Sequence, residues 1–143
     1  MAEVMALARI AHTEWQDKRS SRRRGVERRQ AELAALEARS TEIRYFLPSM
    51  ITGLLAAPDY IRASLSHVPG DVSKTIVRKL ERQAVLYDAT KRFTFLLTEQ
   101  AVRWAVVPPA AMAAQMDLLI SRSRMPNLRI GLIMNGAQLS EAR

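Results

Sequence analysis

The chain of 143 residues contains no cysteine, which excludes disulfides, thiolate nucleophiles and any zinc site built on Cys. Histidine is nearly as scarce. His12 and His67 are the only two, and they stand on unrelated segments without carboxylates at metal-ligand spacing. No GxGxxG, phosphate-binding GxxxxGK[ST] or GxSxG pattern occurs, and the acidic residues are scattered singly. The expectation is a protein without catalytic residues, metal or cofactor. Long apolar runs are missing too: Trp104–Ala114 is too short to span a bilayer and is interrupted by Pro108-Pro109. Glu3 and Arg9 interrupt the N-terminus, which lacks the apolar stretch and small-residue cleavage site of a secretory signal. A soluble, cytoplasmic protein with no membrane partner is expected.

What is present begins with charge. The formal net charge is +8, and 48% of the residues are hydrophobic, a globular rather than a disordered balance. Residues 1–30 hold eight Lys/Arg against four Asp/Glu, so about a fifth of the chain carries half the net charge. The density peaks in KRSSRRR, with Lys18, Arg19, Arg22, Arg23 and Arg24, and continues to Arg28 and Arg29. Arginines on successive helical turns could neutralise phosphates. The plainer reading is a solvated helix face partly paired with Glu14, Asp17 and Glu27. No aromatic residue interleaves with the run, which argues against a single-strand binder.

Along the chain, Val4, Leu7, Ala8, Ala11 and Trp15 fall at helical spacing, and apolar positions resume at Val26, Leu33 and Leu36. One long helix, or two consecutive ones broken near Gly25, is expected to end near Phe46. The next stretch, PSMITGLLAAPDYIRASL from Pro48 to Leu65, is apolar yet interrupted by Pro48, Gly53 and Pro58. It cannot be one straight helix and is expected to lie buried between other elements. Val68-Pro69-Gly70 reads as a turn and Asp71 as a helix cap. Val72, Ile76, Val77, Leu80, Ala84 and Tyr87 predict an inward helical face reaching about Asp88.

Phe93, Phe95 and Leu97 alternate in a strand over 92–98, and Thr98 can cap a short helix over 99–106. After Pro108-Pro109 a further helix would place Met112, Ala113, Met116, Leu119 and Ile120 inward. A second strand runs over 128–134. Helices between the strands favour a crossover and a parallel pair. Two strands are too few for a stable sheet, and the Asn135-Gly136 turn signal has only a short, poor strand after it. The sheet therefore reads as unfinished, its missing strands coming from another chain or lost from a fragment.

Trp15, Trp104, Tyr45, Phe46 and Tyr60 read as core anchors, as do Met112 and Met116. A small-molecule pocket near 54–87, lined by Leu54, Tyr60 and Tyr87, is the alternative.

Five blocks in order carry a resemblance: ALARIAHTEWQDKRSSRRRGVERRQAELAALEA, FLPSMITGLLAAPDYIRASL, VRKLERQAVL, FTFLLTEQAVRW and MAAQMDLLISRSRMPNLRIGLI. Together they resemble the C-terminal domain of actinobacterial XRE-type helix-turn-helix transcriptional regulators, often described as antitoxin-like. Lys79, Arg82 and Gln83 keep that family's basic-basic-Gln pattern, and Glu99 and Gln115 also match it. Thr52 stands where the family has proline, and Ala56-Ala57 replace a polar pair. The resemblance implies a regulatory or dimerisation domain whose DNA-binding helix-turn-helix would precede it, with further strands after it. It also implies a homo-oligomer or a small partner protein.

The expected architecture is thus α+β and predominantly helical, with helices packed on a small sheet. A basic helical segment, 1–46, would precede a mixed regulatory or dimerisation domain, 47–143, the two either separate or one continuous domain. The expected function is non-enzymatic protein interaction within a transcriptional regulator. Direct nucleic-acid binding through 18–29 and sensing near 54–87 are the rivals.

Overall fold

The computed structural model describes residues 25–136. Helix α1, Gly25–Arg39, stops where Ser40 turns its hydroxyl back onto the Leu36 carbonyl at 2.8 Å, a local bond that competes with the helical ladder. Lys91 then closes the end. Its ammonium is buried and donates to the carbonyls of Glu37, Ala38 and Ser40 at 2.8, 2.9 and 2.6 Å. A cation on the orphan carbonyls complements the negative end of the helix dipole. Lys91→Met is expected to lower stability by about 2–3 kcal/mol, since charge-assisted bonds are lost and the carbonyls keep no equivalent donor. Urea unfolding measures this, and a loss under about 1 kcal/mol would mean that water replaces the ammonium without penalty.

Strand β1, Glu42–Leu47, follows at once. The helix expected to reach Phe46 is therefore corrected: it ends at Arg39, and the residues after Ser40 are extended. EIRYFL alternates Ile43, Tyr45 and Leu47 on one face, and its aromatic and β-branched content suits a pleated surface better than a helix. One of the strands missing on sequence grounds thus comes from this chain itself, and the sheet of three strands is still small and incomplete among the described residues.

Helix α2, Pro58–Ser64, starts with proline in its first turn, and helix α3, Ser73–Arg82, tightens into a 3-10 turn over Gln83–Tyr87. Asp71 accepts from the Ser73 amide at 2.9 Å ahead of α3. Strand β2 is Arg92–Thr98, and helix α4 is a single turn, Glu99–Arg103, shorter than expected. Thr98 caps it by accepting from the Ala101 amide at 3.2 Å, and donates to the Pro48 carbonyl at 2.7 Å. Helix α5, Pro109–Ser123, and strand β3, Leu128–Ile133, complete the described fold.

The three strands lie in the order β1-β2-β3, and both pairs are parallel. Each crossover contains helices, as a parallel connection requires. Register aligns Ile43 with Phe93 and Leu128, Tyr45 with Phe95 and Ile130, and Leu47 with Leu97 and Leu132. This is the core face. Tyr45 stacks on Phe95 at 5.4 Å between centroids, and Phe93 on Phe95 at 5.9 Å. Ile43, Phe93, Phe95, Leu97 and Leu128 bury against Leu54, Leu55, Tyr60, Ile61 and Leu119. Asn127 ties the two crossovers together, its amide donating to the carbonyls of Leu86, Asp88 and Lys91. The result is a predominantly helical α+β fold on a small parallel sheet.

Two inward expectations need correction. Val77, Ala84 and Tyr87 are exposed; on α3 the buried positions are Thr75 and Ile76, and Gln83 carries that face onward. On α5, Ala113 and Ile120 face water, while Gln115 and Leu119 are buried. In both places a glutamine occupies the inward position.

Candidate functional site

The segment from Pro48 to Leu65 is the buried joint its composition predicts. Ile51, Leu54, Leu55, Ala56, Tyr60, Ile61 and Leu65 all lie in the core. A proline-broken loop inside a protein must satisfy its backbone by side chains, and two glutamines do so. Gln83 donates to the carbonyls of Gly53 and Ala56 at 2.8 and 2.7 Å. Gln115 donates to the Leu55 carbonyl at 2.8 Å and accepts from the Ala57 amide at 2.6 Å. The Tyr60 hydroxyl accepts from the Ile51 amide at 3.0 Å. Leu54 and Tyr60 are therefore packing residues. Tyr87 stands apart on the surface, 67% exposed, under the Arg122 guanidinium at 5.2 Å. The structure does not bring these three residues together.

A second polar cluster lies between α1, β1 and α3. Glu37 Oε1 accepts from the Tyr45 hydroxyl at 2.5 Å and pairs with Arg82 Nη2 at 3.2 Å. Arg82 also donates to Gln30. The side chains of Glu37 and Arg82 are only 3% and 8% exposed. Glu37 Oε2 and Arg82 Nε find no hydrogen-bond partner among the described residues. Burial and the Glu37 carboxylate together hold the Tyr45 phenol far above the ordinary tyrosine range, so it stays a neutral donor. The cluster anchors α1 to the domain. Nothing in it resembles an acid–base pair with access to a substrate.

The opposite face of the sheet is uncovered among the described residues. Alternation sends Glu42, Arg44 and Phe46 outward from β1, Arg92, Thr94 and Leu96 from β2, and Arg129, Gly131 and Ile133 from β3. Phe46 is 61%, Leu96 38% and Ile133 44% exposed. Phe46, expected as a core anchor, is instead the largest apolar group on this face, and Trp104, expected in the same role, is exposed elsewhere on the surface. The register splits the face into halves. Phe46, Leu96 and Gly131 form one row, with Ile133 beyond it; Arg44, Thr94 and Arg129 form the next. Parallel sheets are normally covered on both faces, so an open face with an apolar half is the feature that calls for a functional account.

Among the residues expected to touch nucleic acid, Lys18, Arg19, Arg22, Arg23 and Arg24 lie outside the described residues. Arg28 is on α1 and pairs with Glu32 at 3.1 Å on an exposed surface. Arg29 follows it, half-buried. His12 and Trp15 also lie outside the described residues, and His67 is exposed on the surface. No group of His, Asp and Glu capable of holding a metal occurs among the described residues, and no described helix is long and apolar enough to cross a membrane.

Residues 30–143 match a family described as a domain of unknown function, DUF5753. The chain belongs to this family. No curated protein and no solved structure matches it. The DUF5753 span takes in the buried Glu37–Arg82 cluster, both glutamine clamps and the whole sheet, while Lys18–Arg29 precedes it. Sequence periodicity misses the open face because β1 reads as helix there. It misses Gln83 and Gln115 because a buried glutamine looks polar and hence external; the signal that does mark them is the resemblance, which also marks Arg82.

Proposed function

We propose that this DUF5753 chain is a non-enzymatic interaction domain of a DNA-binding transcriptional regulator, acting by dimerisation or by binding a small partner protein. The observation that carries this reading is the open sheet face, where Phe46, Leu96 and Ile133 are exposed on a parallel sheet whose other face holds the buried core. Exposed apolar side chains grouped on regular structure mark contact surfaces more often than they mark catalysis. The ordered blocks that resemble XRE-type regulators support the same reading. DNA contact then belongs to a helix-turn-helix domain of the same regulator.

Size-exclusion chromatography with light scattering tests the proposal, with the chain alone and with the product of each small gene encoded beside it. A dimer, or a complex of defined mass, is expected. A well-folded monomer that binds none of these products would sink the reading.

A further inference from the structure

The open face is more specific than an apolar patch. Its lower rows carry Arg44, Arg92 and Arg129 against the single carboxylate of Glu42. Arg44 is held by Glu42 at 2.5 Å. No ion pair joins Arg92 or Arg129 to a carboxylate among the described residues. One residue-pair step up the strands, the surface turns apolar. Gly131 lowers the β3 end of that row, and Leu96 leans into the space: a Cβ on Gly131 would meet Leu96 Cδ1 at 3.2 Å. An apolar strip thus runs across the strands with a basic strip beside it, about 7 Å away.

Three occupants can be weighed on this geometry. A second copy packed face to face about a two-fold axis along the strands would set each basic row against its twin. With the axis across the strands, only the apolar ends could overlap without that clash. Those ends span on the order of 200 Å², three strands about 4.8 Å apart by two rows. A stable interface needs roughly 800 Å² per partner. Of the chain's own residues outside 25–136, Lys18–Arg24 carry five basic side chains and no carboxylate and share the sign of the face, and residues 137–143 carry Glu141 and Arg143, whose charges cancel. Residues 3–17 hold Glu3, Glu14 and Asp17 against Arg9, a slight acidic surplus on a segment that leads straight into the basic run; slow amide exchange at the face in the free chain is the mark of that segment. A net acidic amphipathic helix complements both strips. Lying across the strands, about ten residues would span the sheet at 1.5 Å per residue. An apolar stripe at a spacing of three and four residues would rest on Phe46, Leu96 and Ile133, and a carboxylate flank would reach Arg92 and Arg129.

We infer that the open face of the β1-β2-β3 sheet is a docking site for an acidic amphipathic helix of a different polypeptide, anchored by Phe46, Leu96 and Ile133 and oriented by Arg92 and Arg129. This rests on the interaction-domain reading and gives it a surface and a partner chemistry. Apolar contact supplies the binding, and the arginines set direction and select against basic helices.

The test is a selection from a displayed library of random 20-residue peptides, using the full chain as bait. Phe46→Glu and the double variant Arg92→Glu/Arg129→Glu serve as comparison baits. All these side chains are exposed, so both variants are expected to melt with the parent, and circular dichroism verifies that. The expected pool is net acidic, with apolar residues at three- and four-residue spacing. Its members are expected to bind both variants on the order of tenfold more weakly. Added salt should weaken binding to the parent and to Phe46→Glu, but much less to the double arginine variant.

Several results would overturn the inference. These are a neutral or basic pool, equal binding to all baits, or no enrichment over a bait-free control. A parent dimer that Phe46→Glu turns into a monomer would assign the face to a second copy. Slow amide exchange with buried Phe46, Leu96 and Ile133 in the free full chain would assign it to the chain's own residues. Acidic helices that bind all baits equally would remove this site and leave the interaction-domain reading standing. That reading fails separately, on a monomer without any partner.

Discussion

Arg82→Ala is expected to cost about 3–5 kcal/mol of folding stability, the usual penalty for stranding one member of a buried ion pair. The Glu37 side chain is 3% exposed and would keep only the Tyr45 hydroxyl as a donor. Its second oxygen already has no hydrogen bond among the described residues. Gln30 would lose its Arg82 partner as well. The pair nevertheless contributes little net stability when intact, because desolvation of two charges offsets most of their attraction. Glu37→Leu combined with Arg82→Met should therefore lose far less than the single change. A double-mutant cycle by urea unfolding checks both statements. Arg82→Ala within 1 kcal/mol of the parent would mean that water reaches the carboxylate and that the cluster is not sealed. The cluster also joins α1 to β1 and α3, so the same variant should raise hydrogen exchange in α1 before β2.

β2 and β3 were legible because Phe93, Phe95 and Leu97, and Leu128 and Ile130, alternate, and Pro126 and Gly136 bracket β3. Thr98 was legible as a cap because its hydroxyl stands just before a helical run. β1 was not legible. Its six residues adjoin α1 with only Ser40 and Thr41 between them, and neither glycine nor proline marks the change. What ends α1 is partly Lys91, fifty-one positions from the Ser40 carbonyl it meets, and no local pattern reports a cap so distant. The buried polar groups failed for a different reason. Glu37, Gln83, Lys91 and Gln115 are all buried in the fold, and each is inward because it satisfies backbone or charge that packing alone would leave bare. Hydrophobic periodicity assigns such residues to the surface by construction. The open face followed from β1: once Glu42–Leu47 is extended, Phe46 must point away from Tyr45 and Leu47, out onto the uncovered side.

Gln115→Leu is expected to destabilise the fold by about 3 kcal/mol although it adds apolar surface at a fully buried site. Gln115 is 0% exposed, and leucine is close enough in volume that the cavity contribution is small. The cost lies in the loop. The Leu55 carbonyl and the Ala57 amide, bonded to Gln115 at 2.8 and 2.6 Å, would be left without partners inside the core. Each stranded group costs about 1–3 kcal/mol. Gln83 clamps the same loop at Gly53 and Ala56, so Gln83→Leu should cost a comparable amount. The double variant should then lose less than the sum, since one opened loop hydrates both sets of groups. The loop runs directly out of β1, and Thr98 holds its first carbonyl, that of Pro48. Freeing it would therefore release the end of the strand that presents Phe46, and binding at the open face should weaken although no contact residue has changed. Thermal melts and peptide titration of the same variant separate the two effects. If Gln115→Leu melts with the parent, the burial of Ile51, Leu54 and Leu55 alone shapes the loop, and the glutamines merely follow it.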